Sequence, residues 1–224
     1  MKPPADRGLT ARLRTAKGRT TASQRWLERQ INDPYVRAAK AAGWRSRAAF
    51  KLLELDERFK LLKPGQRVVD LGAAPGGWTQ VALKTIGDRG RVVALDLLPI
   101  DPIHGAVLLE GDFTEQAGED AVLAALDGQA DLVLSDMAPN TTGHNATDHL
   151  RIMGLVELAA DFARRVLAPG GGFVAKVFQG GTEKELLAAL KRDYAQVRHA
   201  KPPASRKDSA EAYVVAQGFR GSND

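Results

Sequence analysis

From Arg67 onward, short β-branched runs such as Val68-Val69, Val92-Val93-Ala94-Leu95 and Phe173-Val174-Ala175 alternate with longer stretches of helical apolar spacing. That pattern predicts strands at 67–71, 91–96, 106–110, 131–136 and 172–178. Helices are predicted at 77–86, 116–126, 148–167 and 182–193. Two last strands, about 195–200 and 211–217, flank the polar stretch Lys201 to Ser209 with no helix between them. Upstream, Trp26, Leu27 and Ile31 suggest a helical turn or two before Asp33-Pro34. Tyr35 to Ala42 reads as a second short helix ended by Gly43. Ser46 is the expected N-cap of a third helix, which runs to about Phe59 and buries Phe50, Leu53 and Leu55. Lys63-Pro64-Gly65 then turns the chain into the first strand. Alternating strands and helices imply a doubly wound, mostly parallel sheet of seven strands with helices on both faces. The final pair adds an antiparallel hairpin at one edge.

Composition narrows the chemistry. The 224 residues include no cysteine, which removes disulfides, thiolate metal sites and a cysteine nucleophile. Four scattered histidines (His104, His144, His149 and His199) give no reason to expect a metal centre. No apolar run is long enough to span a membrane and no signal peptide opens the chain, so a cytoplasmic protein is expected. The formal net charge of +5 is unevenly spread. Residues 1–63 hold 16 Lys/Arg against 6 Asp/Glu, whereas the remainder is net acidic. A basic N-terminal part before a slightly acidic body reads as a polyanion-binding surface, most simply for nucleic acid. Residues 1–22, poor in apolar side chains, are expected to be a flexible basic tail. Residues 23–224 form one domain, with 23–63 its basic helical part. No exposed apolar stripe suggests a dimer, so a monomer is expected.

The turn after the first strand reads Asp70-Leu71-Gly72-Ala73-Ala74-Pro75-Gly76-Gly77-Trp78. A glycine-rich turn between strand and helix is where open α/β sheets bind nucleotide-like cofactors. Here Ala74 takes the place of the glycine that a pyrophosphate would touch, and Pro75 removes an N–H donor. The loop suits an adenosine ligand without phosphate, and S-adenosylmethionine is preferred to NAD. The terminal strand pair agrees, since it belongs to the methyltransferase variant of the Rossmann-like fold. Later strand ends supply acids in series: Asp96 for ribose hydroxyls, Asp112 for the adenine amino group, and Asp136. Gly76 and Trp78 are expected to frame the methionine end.

Asp136 lies in Ser135-Asp136-Met137-Ala138-Pro139-Asn140, which lacks the aromatic residue that stacks on a base in amino-group methyltransferases. Without cysteine, the common route to pyrimidine carbon methylation is closed as well. A hydroxyl acceptor remains. Lys176 sits in the apolar strand Phe173 to Phe178, where a lysine is costly unless it pairs or functions. Lys51 lies within Phe50-Lys51-Leu52, and Glu211 opens the last strand.

Five segments together resemble the RlmE family, also called FtsJ or RrmJ. They are Arg45 to Leu52, Asp70 to Trp78, Asp96 to Pro99, Ser135 to Asn140 and Lys176 to Gly180. The resemblance covers roughly residues 23–218. It implies a ribosomal RNA ribose 2′-O-methyltransferase acting on a uridine of large-subunit (23S) RNA, on the assembled particle. The family's Lys-Asp-Lys-Glu tetrad then falls on Lys51, Asp136, Lys176 and Glu211, with Lys176 as proton acceptor. Gly76, Trp78, Asp96, Asp112 and Asp136 would contact S-adenosylmethionine, and no metal is implied. Arg45 and Arg47 are expected to meet RNA phosphates. One departure is Ala210, where the pattern has arginine before the glutamate. Alternatives are a ribose methyltransferase with another RNA target and an RNA-binding assembly factor without catalysis.

Overall fold

The computed structural model describes residues 20–139, 144–178 and 184–221. Asn140, Gln179, Gly180 and the expected helix start at 182 lie outside the described residues, as do positions 1–19 of the basic tail. Helix α1 (Thr21–Asn32) begins inside the segment expected to be tail, because Thr20 accepts a hydrogen bond from the Ser23 N–H and caps it. Asp33 ends α1 and caps α2 (Pro34–Ala41), accepting from the Tyr35 N–H with Pro34 in the first turn. Helix α3 (Ala48–Phe59) starts later than the sequence suggests. Ser46 does not cap it: Arg47 occupies the cap position in helical geometry, and the Ser46 hydroxyl is buried without a partner.

The remaining elements are β1 (Arg67–Leu71), α4 (Gly77–Ile86), β2 (Arg91–Asp96), β3 (Ala106–Glu110), α5 (Gln116–Leu126), β4 (Ala130–Ser135), α6 (Asn145–Val166), β5 (Leu167–Phe178), α7 (Lys184–Asp193), β6 (Tyr194–Ala200) and β7 (Glu211–Phe219). Strand β5 starts five residues earlier than expected. Leu167 already pairs with Ala130, and an irregularity in that register accommodates the Pro169-Gly170-Gly171 stretch. The strands order as β3-β2-β1-β4-β5-β7-β6. Strands β1 to β5 run parallel, and β7 is antiparallel to both β5 and β6. Of the terminal pair only β6 is an edge strand, since β7 lies inside the sheet.

Two apolar layers follow from the period-2 alternation of the strands. One face carries Val69, Leu71, Val133, Phe173 and Val214 against α5, α6 and α7. The other carries Val68, Leu132, Leu134, Val174 and Val215 against α3 and α4. On this second face each row turns polar at the same end of the sheet. Val68 is followed two residues on by Asp70, Leu134 by Asp136, and Val174 by Lys176. In the reversed strand, Val215 is preceded by Tyr213 and Glu211. The strand order reverses between β1 and β4, so this polar row lies where an open sheet forms its ligand crevice.

Candidate active site

Gly72 follows β1 in a left-handed conformation (φ +74°), and a Cβ there would stand 2.7 Å from the Met137 backbone. The turns after β1 and β4 therefore touch, and only glycine fits between them. Beside them opens a cavity of about 490 Å³ lined by Gly72, Ala74, Asp96, Leu97, Leu98, Asp112, Phe113, Asp136 and Met137, among others. Leu97 and Leu98 are each 64% exposed, an apolar wall with nothing packed on it. Asp96 accepts from the Ala74 N–H (2.8 Å) and from the Leu98 N–H (2.9 Å), which fixes its carboxylate at the cavity edge. The Asp112 carboxyl is held below the usual range by the hydroxyl and then the N–H of Thr114. An apolar slot with fixed acceptors and a glycine floor fits adenosine.

Trp78 and Gly76, both expected to meet the cofactor, are not among the residues that line this cavity. The Trp78 indole is buried in the core, donating to the Ala48 carbonyl (2.8 Å) and packing on Tyr213. Its ring frames no part of the cavity. Gly76, at φ +104°, does not line the cavity either; a Cβ there would meet Ile103 and Arg45.

Arg45 and Arg47, expected to meet RNA phosphates, also hold loops of the fold. The Arg45 guanidinium donates to the carbonyls of Pro75 (3.2 Å), Asp101 (2.6 Å) and Pro102 (2.7 Å), tying the loop after β2 to the cofactor turn. Arg47 donates to Asp33 and to the Ala204 carbonyl, holding the N-terminal helices on the loop before β7. Glu54 grips the same loop through the Ala204 N–H (2.6 Å) and accepts from the Tyr35 hydroxyl (3.0 Å). Burial, then Glu54, pushes that phenol up to about 12.

The four residues of the expected tetrad do come together. Lys176 donates to the Asp136 carbonyl at 2.7 Å and to its Oδ1 at 2.8 Å. Lys51 donates to Glu211 Oε2 at 2.7 Å and stands 3.9 Å from Asp136 Oδ2. The Ser205 hydroxyl donates to Glu211 Oε1 (2.7 Å), and the Glu211 N–H donates to Ser209 Oγ. Burial alone would raise the Asp136 carboxyl, but Lys176 and Lys51, with hydrogen bonds from Lys176 and Tyr213, hold it below the usual range. Asp70, fully buried behind this group, is pushed up to about 7 by burial, against the hydroxyl of Thr79 that donates to its Oδ2 (2.7 Å). Its Oδ1 has no partner.

Sequence reasoning missed Tyr213, Ser205 and Thr79. The hydroxyl of Tyr213 donates to Asp136 Oδ1 at 2.8 Å. The alternation of β7 could have found it, since Glu211 and Tyr213 share one face of the strand. Ser205 and Thr79 carry no such signal, because their roles arise from contacts with distant elements.

A second hollow, about 500 Å³, lies on the other side of Ala74, which lines both. Its wall includes Ser46, Arg47, Lys51, Pro75, Arg206 and Glu211. The tetrad thus stands between an adenosine-shaped cavity and a basic-rimmed hollow. No group of three or more potential metal ligands occurs among the described residues.

A Rossmann-like sheet with this terminal strand order and this cavity defines a methyltransferase that uses S-adenosylmethionine. Residues 44–219 match the model of the FtsJ-like methyltransferases, and the chain belongs to that family. It is 62% identical over 226 residues to a protein of Azorhizobium caulinodans named ribosomal RNA large subunit methyltransferase E, covering 100% of this chain and 94% of that protein. A Gluconobacter oxydans protein of the same name is 65% identical, with 96% of this chain and 79% of the relative covered. Among solved structures, a Plasmodium falciparum protein assigned as a ribosomal RNA methyltransferase superposes with a TM-score of 0.71 at 28% identity. That match covers 80% of this chain and 100% of the other.

Proposed function

We propose that the protein transfers a methyl group to the 2′-hydroxyl of a uridine ribose in large-subunit (23S) ribosomal RNA, on the assembled particle and in the cytoplasm. The observation that carries this reading is the tetrad itself, joined through Asp136 and set between the two hollows. The names of the close relatives support the RNA target. Among the described residues no helix is long and apolar enough to cross a membrane, which agrees with work on ribosomal particles.

S-adenosylmethionine, when bound, supplies an activated methyl carbon, and Asp96 and Asp112 would hold its adenosine. The chain then has two tasks: to align a ribose hydroxyl and to take one proton. Lys176 is placed for the second. A neutral amine has two N–H bonds and one lone pair. In its neutral form the amine would donate both N–H bonds to the two Asp136 oxygens at 2.7 and 2.8 Å, and its lone pair would take the hydroxyl proton. Once protonated, Lys176 is an ammonium ion paired with the Asp136 carboxylate. Lys51, fixed by Glu211, orients the hydroxyl from the acceptor side. The helices α1–α3, with Arg206 on the rim of the second hollow, face the RNA.

The test is methyl transfer onto 50S particles from cells lacking this protein, followed by mapping of the ribose-methylated nucleotide. Wild-type protein is expected to label one 23S uridine, and Lys176→Ala is expected to label none while still binding cofactor. Labelling of another RNA, or near wild-type transfer by the variant, overturns the target or the proton acceptor respectively.

A further inference from the structure

Tyr213 stands directly opposite Lys176 in the β5–β7 register, so both side chains leave the same face of the sheet. Both reach one atom. Asp136 Oδ1 receives Lys176 Nζ and the Tyr213 hydroxyl, each at 2.8 Å. The phenol ring is fully buried, lies 5.6 Å from the Trp78 ring, and carries Lys51 Nζ 5.7 Å above its centroid. The ring is therefore locked by packing, and its hydroxyl touches the carboxylate on which the proposed proton acceptor depends.

The charged groups around this hydroxyl are Asp136 after β4, Lys176 on β5, Glu211 on β7 and Lys51 on α3, with Asp70 on β1 behind Asp136. Burial first, then the charges of Asp136 and Glu211, keep the phenol well above its ordinary range. It remains a neutral donor wherever the enzyme works. A second donor on Oδ1 lowers that oxygen's basicity and competes with Lys176 for it. Without that competition, Asp136 would hold the lysine more firmly as an ammonium ion.

We propose that Tyr213 is a positioning residue for methyl transfer: it fixes the Asp136 carboxylate and, by sharing Oδ1, weakens the hold of Asp136 on the Lys176 proton. This rests on the reading of Lys176 as proton acceptor.

The experiment compares Tyr213→Phe, Lys176→Ala and wild type in single-turnover transfer to 50S particles across a pH series, with calorimetric binding of S-adenosylmethionine. The phenylalanine variant keeps the ring packing. Its expected signature is cofactor affinity within about twofold of wild type, a transfer rate about tenfold lower, and the rising limb of the pH–rate profile moved to higher pH. Replacement of Tyr213 by 3-fluorotyrosine, a stronger donor of nearly the same shape, is expected to move that limb to lower pH. This second variant decides the matter if Tyr213→Phe folds poorly. An unmoved limb in both variants overturns the inference, whatever the rate, because a purely structural role would alter stability or affinity alone. Lys176→Ala separates the two readings. If it transfers normally, the proton acceptor is wrong. If it is inactive while the Tyr213 variants leave the limb unmoved, only the role of Tyr213 fails.

Discussion

Lys51 and Glu211 meet at 2.7 Å although 160 positions separate them in the chain. The pair joins α3 to the start of β7, and its side chains are only 12% and 14% exposed. Lys51 keeps a weaker partner in Asp136 at 3.9 Å. Removing one side of the pair should therefore cost less than the roughly 3–5 kcal/mol of a fully buried ion pair, about 2 kcal/mol. Glu211→Gln is expected to lower stability by that amount in urea titrations. Its turnover should fall while its affinity for S-adenosylmethionine stays at the wild-type level, because the cofactor cavity lies on the far side of Ala74.

Asp70 makes stability depend on pH. Its carboxyl is pushed up to about 7 in the folded protein and returns to an ordinary value near 4 on unfolding. Between those values the folded state binds more protons than the unfolded state, so stability falls as pH rises from about 4 to 7 and then levels off. Three units correspond to about 4 kcal/mol as an upper figure. Asp70→Asn is expected to remove most of this slope, so that the variant gains on wild type as pH is raised from 5 to 8. Parallel denaturant titrations at the two pH values check this; equal slopes would show that Asp70 titrates normally.

Arg45 tests whether a charge on the expected RNA side serves the fold or the RNA. Its three carbonyl acceptors cannot all be reached by an ammonium group in the same geometry. Arg45→Lys is expected to raise the KM for S-adenosylmethionine about tenfold by loosening the loop after β2, a loss of about 1.4 kcal/mol. The salt dependence of RNA binding should keep its wild-type slope, whereas loss of a phosphate contact would reduce that slope by about one.

Gly72 tests the contact between the two turns. A methyl group there would meet the Met137 backbone at 2.7 Å, and the backbone at φ +74° adds strain. Gly72→Ala is expected to cost about 2–3 kcal/mol in stability and to weaken cofactor binding, read by urea titration and calorimetry.

The strands were legible because their apolar runs are dense, and β1, α4, β2, β3 and α5 fall where periodicity puts them. Where the reading slipped, tertiary contacts had overridden local preference. Ser46 has the right chemistry for a cap, but its hydroxyl is packed beneath Gly77 and cannot reach the helix N–H groups. Lys176 and Asp136 were visible as polar residues at the ends of apolar strands. The inward turn of the Trp78 ring was not legible, because a motif fixes a residue's position in the chain, not the direction of its ring. The backbone contacts of Arg45 and Arg47 were not legible for a related reason: in sequence, a cation that bonds backbone carbonyls looks the same as one that does not.

The insertion of β7 between β5 and β6 has a consequence for how the two halves of the site are joined. The cofactor cavity is built from residues up to Leu155, whereas Tyr213 and Glu211 stand on β7, further along the chain. Lys51, far upstream, has its closest ion-pair partner on that strand. The donor cavity and the acceptor centre thus come from separate stretches of chain, and β7 between β5 and β6 brings them together.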